Sequence, residues 1–159
     1  MELVGRKQLL AAALVMTAAA CSSSGTKPTT LTVVHVAGPV SRRASGRCAF
    51  VLRAAVREGG IQRTCLESVD GFPAPDATMH SKGLMTFALR GGAITLRVRV
   101  RQRFAGDGAH ARQSVHGVIV AGRGRYAGAH GSIAGGGTLV DTRAGVRAAR
   151  LAYTIRLTR

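Results

Sequence analysis

The side chains that could do chemistry in this chain are present but scattered. Its five histidines stand at His35, His80, His110, His116 and His130, with no H-x-E-x-x-H, no H-x-H and no cysteine-rich knot among them. His110 and His116 lie six apart and would share one face of a strand, where two histidines are more commonly solvated side chains than metal ligands. Asp107 and Asp141 fall in predicted turns, in which aspartate serves as a local hydrogen-bonding residue. Glu58 and Glu67 lack the spacing of a working carboxylate pair, and Ser114 near His116 makes no triad. The spacing therefore predicts no catalytic residue, no bound metal and no cofactor. One constellation remains. Arg97, Arg99, Arg101 and Arg103 stand at every second position and form a ladder, with Val98, Val100 and Gln102 between them. Guanidinium forks in such a row are suited to phosphate or carboxylate groups. The competing reading is a solvated exterior in an arginine-rich sequence, in which arginine outnumbers lysine twenty to three.

The three cysteines divide by position. Arg6 and Lys7 precede an uncharged run from Leu9 to Ala20, too short for a spanning helix but suited to a signal peptide. Ala18-Ala19-Ala20 then leads directly into Cys21, which resembles a bacterial lipobox with alanine at the usual leucine position. The polar run Ser22 to Pro28 reads as the tether of a mature lipoprotein. The expected organisation is a signal peptide over 1–20, a flexible tether over 21–29 and one folded domain over 30–159. Lipid on Cys21 would anchor the protein to the outside of a bacterial membrane; cleavage without lipidation would leave it secreted. In that oxidising setting Cys48 and Cys65 are candidates for a disulfide, with two free thiols as the alternative.

The elements that must position these residues read as strands. Leu31 to Ala37 is the first, and Gly38-Pro39 stops it. Arg47 to Arg57 alternates as a strand, although its alanines also permit a helix; Gly59-Gly60 then turns it into Ile61 to Val69. Asp70 to Asp76, with two prolines, is a loop. Met79 to Arg90 is followed by a two-residue turn at Gly91-Gly92. In Ile94 to Phe104 the residues Ile94, Leu96, Val98, Val100 and Phe104 share one face and the arginine ladder takes the other. Ala109 to Ala121, Gly131 to Val140 and Val146 to Leu157 complete the series. Short alternating strands with no clear amphipathic helix predict an all-β protein, an antiparallel up-and-down β-barrel of about eight strands with a calycin-like form; a two-sheet sandwich is the alternative. At 159 residues, with only 4% aromatics and no tryptophan, the core must be aliphatic and alanine-rich.

The glycine-rich stretch from Gly122 to Val140 is the most unusual part of the chain. It is not a dinucleotide loop, because the third glycine of that motif comes one residue late and no helical pattern follows. Gly122, Gly124, Tyr126, Gly128, Ala129 and Gly131 instead read as a tight β-corner. These residues resemble the G-x-G-x-[FY]-x-G-A-x-G corner of the allene oxide cyclase/dirigent-like barrel superfamily. The resemblance extends over about residues 78–157, and the corner is similar to that of bacterial secreted members. It implies a closed barrel. No catalytic residue of the plant cyclases has a match here.

Three functional expectations follow. The first is a membrane-anchored, extracytoplasmic barrel that binds a partner or small apolar ligand without reaction, in a dry interior lined by residues such as Val98, Val100, Leu151 and Tyr153. The second, implied by the resemblance alone, is an isomerase or cyclase acting on a small apolar substrate. The third is a surface protein that binds polyanions or anionic lipid through the arginine ladder. With a formal net charge of +16, attraction to anionic partners is expected in general, but the scarcity of aromatics argues against specific nucleic-acid recognition.

Overall fold

The computed structural model describes residues 29–35, 46–57, 59–142 and 145–158. The expected signal peptide, Cys21 and all of the tether but Thr29 lie outside them. Every described element is a β-strand: β1 Thr29–His35, β2 Phe50–Val56, β3 Gly60–Asp70, β4 Thr78–Leu89, β5 Gly92–Phe104, β6 His110–Gly124, β7 His130–Thr142 and β8 Gly145–Thr158. The ambiguous segment before Gly59-Gly60 is thus a strand. The turn between β4 and β5 is Arg90-Gly91, one residue earlier than expected, because Leu89 and Gly92 are themselves paired and Gly91 takes the positive φ.

Each strand from β2 to β8 pairs antiparallel with the next, and the wall curls around one core. β1 runs along β8 through seven registered pairs, from Thr29↔Ile155 to His35↔Ala149, and meets β2 at only Val33↔Val56 and Val34↔Ala55. β2 to β8 thus form a curled antiparallel half-barrel. The complete eight-stranded closure expected from the sequence depends on that two-pair seam.

Alternation explains the core. β5 buries Ile94, Leu96, Val98, Val100, Gln102 and Phe104 while exposing the arginines between them. β8 buries Ala149, Leu151, Tyr153 and Ile155. Phe87 and Tyr153 meet edge to face with ring centres 6.1 Å apart. The register partner of Tyr153 on β7 is Gly135. A β-carbon on Gly135 would lie 2.2 Å from the carbonyl oxygen of Ala152, so the two strands approach as only glycine allows.

Two features fix the ends. Cys48 and Cys65 form a disulfide with Cα atoms 5.1 Å apart, fastening the segment before β2 to the middle of β3. At one end β6 and β7 are joined through the glycine corner. Tyr126 turns inward there and is buried, with its carbonyl so close to Gly122 that a β-carbon would lie 1.9 Å from it. Gly124 takes φ +60°, and Arg125 donates its backbone N–H to the Gly91 carbonyl at 2.9 Å, tying this corner to the neighbouring hairpin. The opposite end carries the 71–77 loop and the paired ends of β7 and β8, Thr142 and Gly145.

Candidate functional site

The interior is not wholly dry and aliphatic. Val98, Val100, Leu151 and Tyr153 are buried as expected, but Gln62, Thr64, Ser81 and Gln102 are buried beside them. The cause lies in strand phase. In β3 the inward positions are Gln62, Thr64 and Leu66, and Ile61 is left 58% exposed. A bulge after Leu66 then leaves Glu67 without a register partner and returns Val69 to the inner side. β4 and β5 place Ser81 and Gln102 inward near the same end.

These polar groups form two short chains. Gln62 donates from Nε2 to Thr64 Oγ1 at 2.8 Å. Gln102 donates from Nε2 to Gln113 Oε1 at 3.2 Å, and Gln113 donates from Nε2 to the Tyr153 hydroxyl at 3.4 Å. The amide oxygens of Gln62 and Gln102 are buried and have no hydrogen-bond partner. Turning an amide over changes which atom is left open, not that one is. Both glutamines, with Ser81, Gln113 and Tyr153, line a void of about 30 Å³. One water needs about 10–15 Å³, so the void can take a water or the polar end of a ligand. Burial pushes the Tyr153 hydroxyl well above the ordinary tyrosine range, although the Gln113 hydrogen bond works the other way. At neutral pH it is a neutral hydrogen-bonding group.

Gln102 also faces a second cavity of about 210 Å³ at the end away from the glycine corner. Phe50, Leu52, Leu66, Val69, Met79 and Val146 make its apolar wall. Phe72 and Pro73 on the loop between β3 and β4 border it, as does the buried Asp141. The arrangement is a mainly apolar chamber with two polar residues, Gln102 and Asp141, among those that line it. It can hold a small molecule and orient one polar group.

The residues singled out from the sequence lie elsewhere. Arg97, Arg99, Arg101 and Arg103 are exposed on the outer face of β5, and Glu67 approaches Arg97 at 3.8 Å. His110 and His116 are both exposed on β6. His110 contacts the Asp107 carboxylate through Nδ1, and that carboxylate also accepts the backbone N–H groups of Ala109 and His110 at 2.9 Å each. Those two backbone donors, followed by the His110 side chain, hold the Asp107 pKa down to about 2. The turn role of Asp107 is thus shown, whereas Asp141 ends in β7 and is buried. Gln62, Gln102 and Gln113 were not singled out. A glutamine at an inward position of a well-phased strand was the available signal in β5.

A scan of family models, a search of curated proteins and a search of solved structures each find no match to the chain.

Proposed function

We propose that this chain is an extracytoplasmic lipoprotein, anchored through Cys21, whose curled sheet closes through β1 into an eight-stranded barrel and binds a small, mainly apolar molecule without transforming it. The supporting observation is the chamber beside Gln102. Its wall is mainly apolar, and Gln102, whose amide oxygen is buried without a hydrogen-bond partner, is among the residues that line it. At about 210 Å³ it is smaller than the roughly 300–1,000 Å³ of drug-sized pockets. The ligand is correspondingly small and carries one hydrogen-bonding group. The corner residues Gly122, Gly124, Tyr126, Gly128, Ala129 and Gly131 support kinship with the allene oxide cyclase/dirigent-like barrels through their likeness to that family's motif. The Cys48–Cys65 disulfide favours an oxidising compartment.

The isomerase or cyclase reading draws support from the chain of Gln102, Gln113 and Tyr153. Non-reactive binding is favoured because amides and a neutral phenol orient a ligand but are poor bases at neutral pH.

Indole is a suitable probe, being small, apolar and equipped with one N–H. The chain contains no tryptophan, so indole emission is free of tryptophan background. Emission should shift to the blue as indole enters the chamber. Val69→Phe, which fills it, should abolish the shift, and Gln102→Leu should weaken binding about tenfold. No shift up to millimolar indole, or a shift indifferent to both substitutions, would overturn the binding reading. The anchor is tested separately by intact mass of the membrane fraction. A lipid-sized increment lost in Cys21→Ser supports it, and a bare chain beginning near Cys21 rejects it.

A further inference from the structure

The outer face of β4, β5 and β6 carries a concentration of positive charge that the interior chamber does not use. Cross-strand register sets Lys82 beside Arg99, His80 beside Arg101 and Arg103 beside Arg112. On the far side of Arg99 lies His116. The outward residues of β5 are Arg97, Arg99, Arg101 and Arg103, each exposed. Adjacent strands lie about 4.8 Å apart and alternate residues about 6.7 Å apart, so the cations form a two-dimensional array rather than a single row. Shallow grooves of about 600 Å³ run between them, one bordered by Lys82, Arg99, Arg101 and His116 and another by Lys82, Arg97, Arg99 and His116. Negative charge stands at the flank: Glu67 engages Arg97, and Asp70 faces His80 across β3 and β4.

The array ends in apolar surface. Val118 is paired with Arg97 and is 55% exposed, and Val120 is 49% exposed. Val120 owes its position to a β-bulge. Thr95 pairs with Ala121 and Leu96 with Ile119, so Val120 is the extra residue and is pushed outward. These valines lie toward the glycine corner. Thr29 enters the sheet at a similar height, since it pairs with Ile155, which pairs with Ile133, the partner of Gly117. β1 therefore begins toward the end of the molecule where the valines are exposed.

We propose that the outer face of β4–β6 is a docking surface for an anionic phospholipid bilayer, with Lys82, Arg97, Arg99, Arg101, Arg103 and Arg112 on headgroup phosphates and Val118 and Val120 at the acyl boundary. Charge complementarity and the adjoining exposed valines carry the assignment. A bilayer offers phosphates with apolar matter just beneath, whereas a nucleic acid or wall polymer gives the valines nothing to enter. The surface does not depend on lipid at Cys21, and the experiment removes that anchor.

Full-chain Cys21→Ser protein is sedimented with vesicles of phosphatidylglycerol and phosphatidylcholine, and with phosphatidylcholine vesicles alone as the baseline. Binding to the anionic vesicles should exceed the baseline at least tenfold at 50 mM salt and fall toward it at 500 mM. Replacing Arg99, Arg101 and Arg103 by Ser should lower anionic binding to near the phosphatidylcholine baseline with the circular dichroism spectrum unchanged. Val118→Ser with Val120→Ser should lower it several-fold without altering the salt dependence. Arg150→Ser with Arg156→Ser, on the exposed side of β8, should change it less than threefold. An equal loss in the β8 variant would show attraction by net charge alone and overturn the assignment to this face. Indifference to the valines, together with equal affinity for duplex DNA, would overturn the bilayer as partner.

Discussion

Gln62 and Gln102 stand in the interior at a cost. Each leaves one buried amide atom without a partner, and such an atom opposes folding by about 1–3 kcal/mol. Gln62→Leu should therefore raise stability by about 1 kcal/mol in urea titration; a loss of 1 kcal/mol or more would mean that the amide is satisfied in the folded protein. Tyr153 provides a pH prediction of known sign. Burial raises its folded-state pKa above the unfolded value near 10, so its contribution is complete below about pH 10 and is lost as pH rises further. Alkaline unfolding, followed by circular dichroism alongside phenolate absorbance, should move to higher pH in Tyr153→Phe. Asp107 has the opposite sign. Its folded pKa is about 2, so its contribution is present above the unfolded value near 4 and disappears as pH falls through about 2. A carbon-detected titration should place the Asp107 midpoint near 2, and a midpoint near 4 would reject the turn geometry. Of these interior amides only Gln102 had a signal in the sequence, its inward place in the alternation of β5. Glutamine in a strand is commonly a solvated residue, and in β3 the apolar Ile61 pointed the alternation the wrong way.

The strands themselves were legible because alternation is strict where one face is dry. β5 and β8 have the cleanest patterns, and their inner and outer residues could be assigned from period two alone. Bulges were not legible. They shift phase at Leu66/Ser68, Thr95/Leu96 and Val140/Asp141, and each depends on register against a partner strand that one strand's sequence does not contain. The glycine corner could be seen as a corner, but the inward turn of Tyr126 and its closeness to Gly122 required the fold. Two glycine substitutions separate crowding from conformation. Gly135→Ala brings a methyl against the Ala152 carbonyl and should destabilise by about 1–3 kcal/mol. Gly128→Ala meets open space, but at φ +71° it should cost about 1–2 kcal/mol. Urea midpoints of the two variants would measure both effects; no change in either would contradict the strand spacing or the turn.

For the molecule as a whole, the disulfide closes a loop of seventeen residues and should contribute roughly 3 kcal/mol. Cys48→Ser with Cys65→Ser should lower the thermal midpoint by several degrees, whereas an unchanged midpoint would mean that the bond forms without constraining the unfolded chain. The candidate pair was visible in the cysteine count, and the two-strand hairpin then brought the partners together. Ring closure was less visible, since it depends on β1 meeting both β8 and β2. That arrangement has a consequence for how the molecule is assembled in time. β1 is the first strand to leave a ribosome or a secretion channel, yet its long partner, β8, is the last. Strands β2 to β8 can zip in order as they emerge, each onto its predecessor, while β1 waits for nearly the whole chain. Docking of β1 on β8 is thus a late event joining the first and last described strands, and a polypeptide cut short within β8 would deprive β1 of a place to dock.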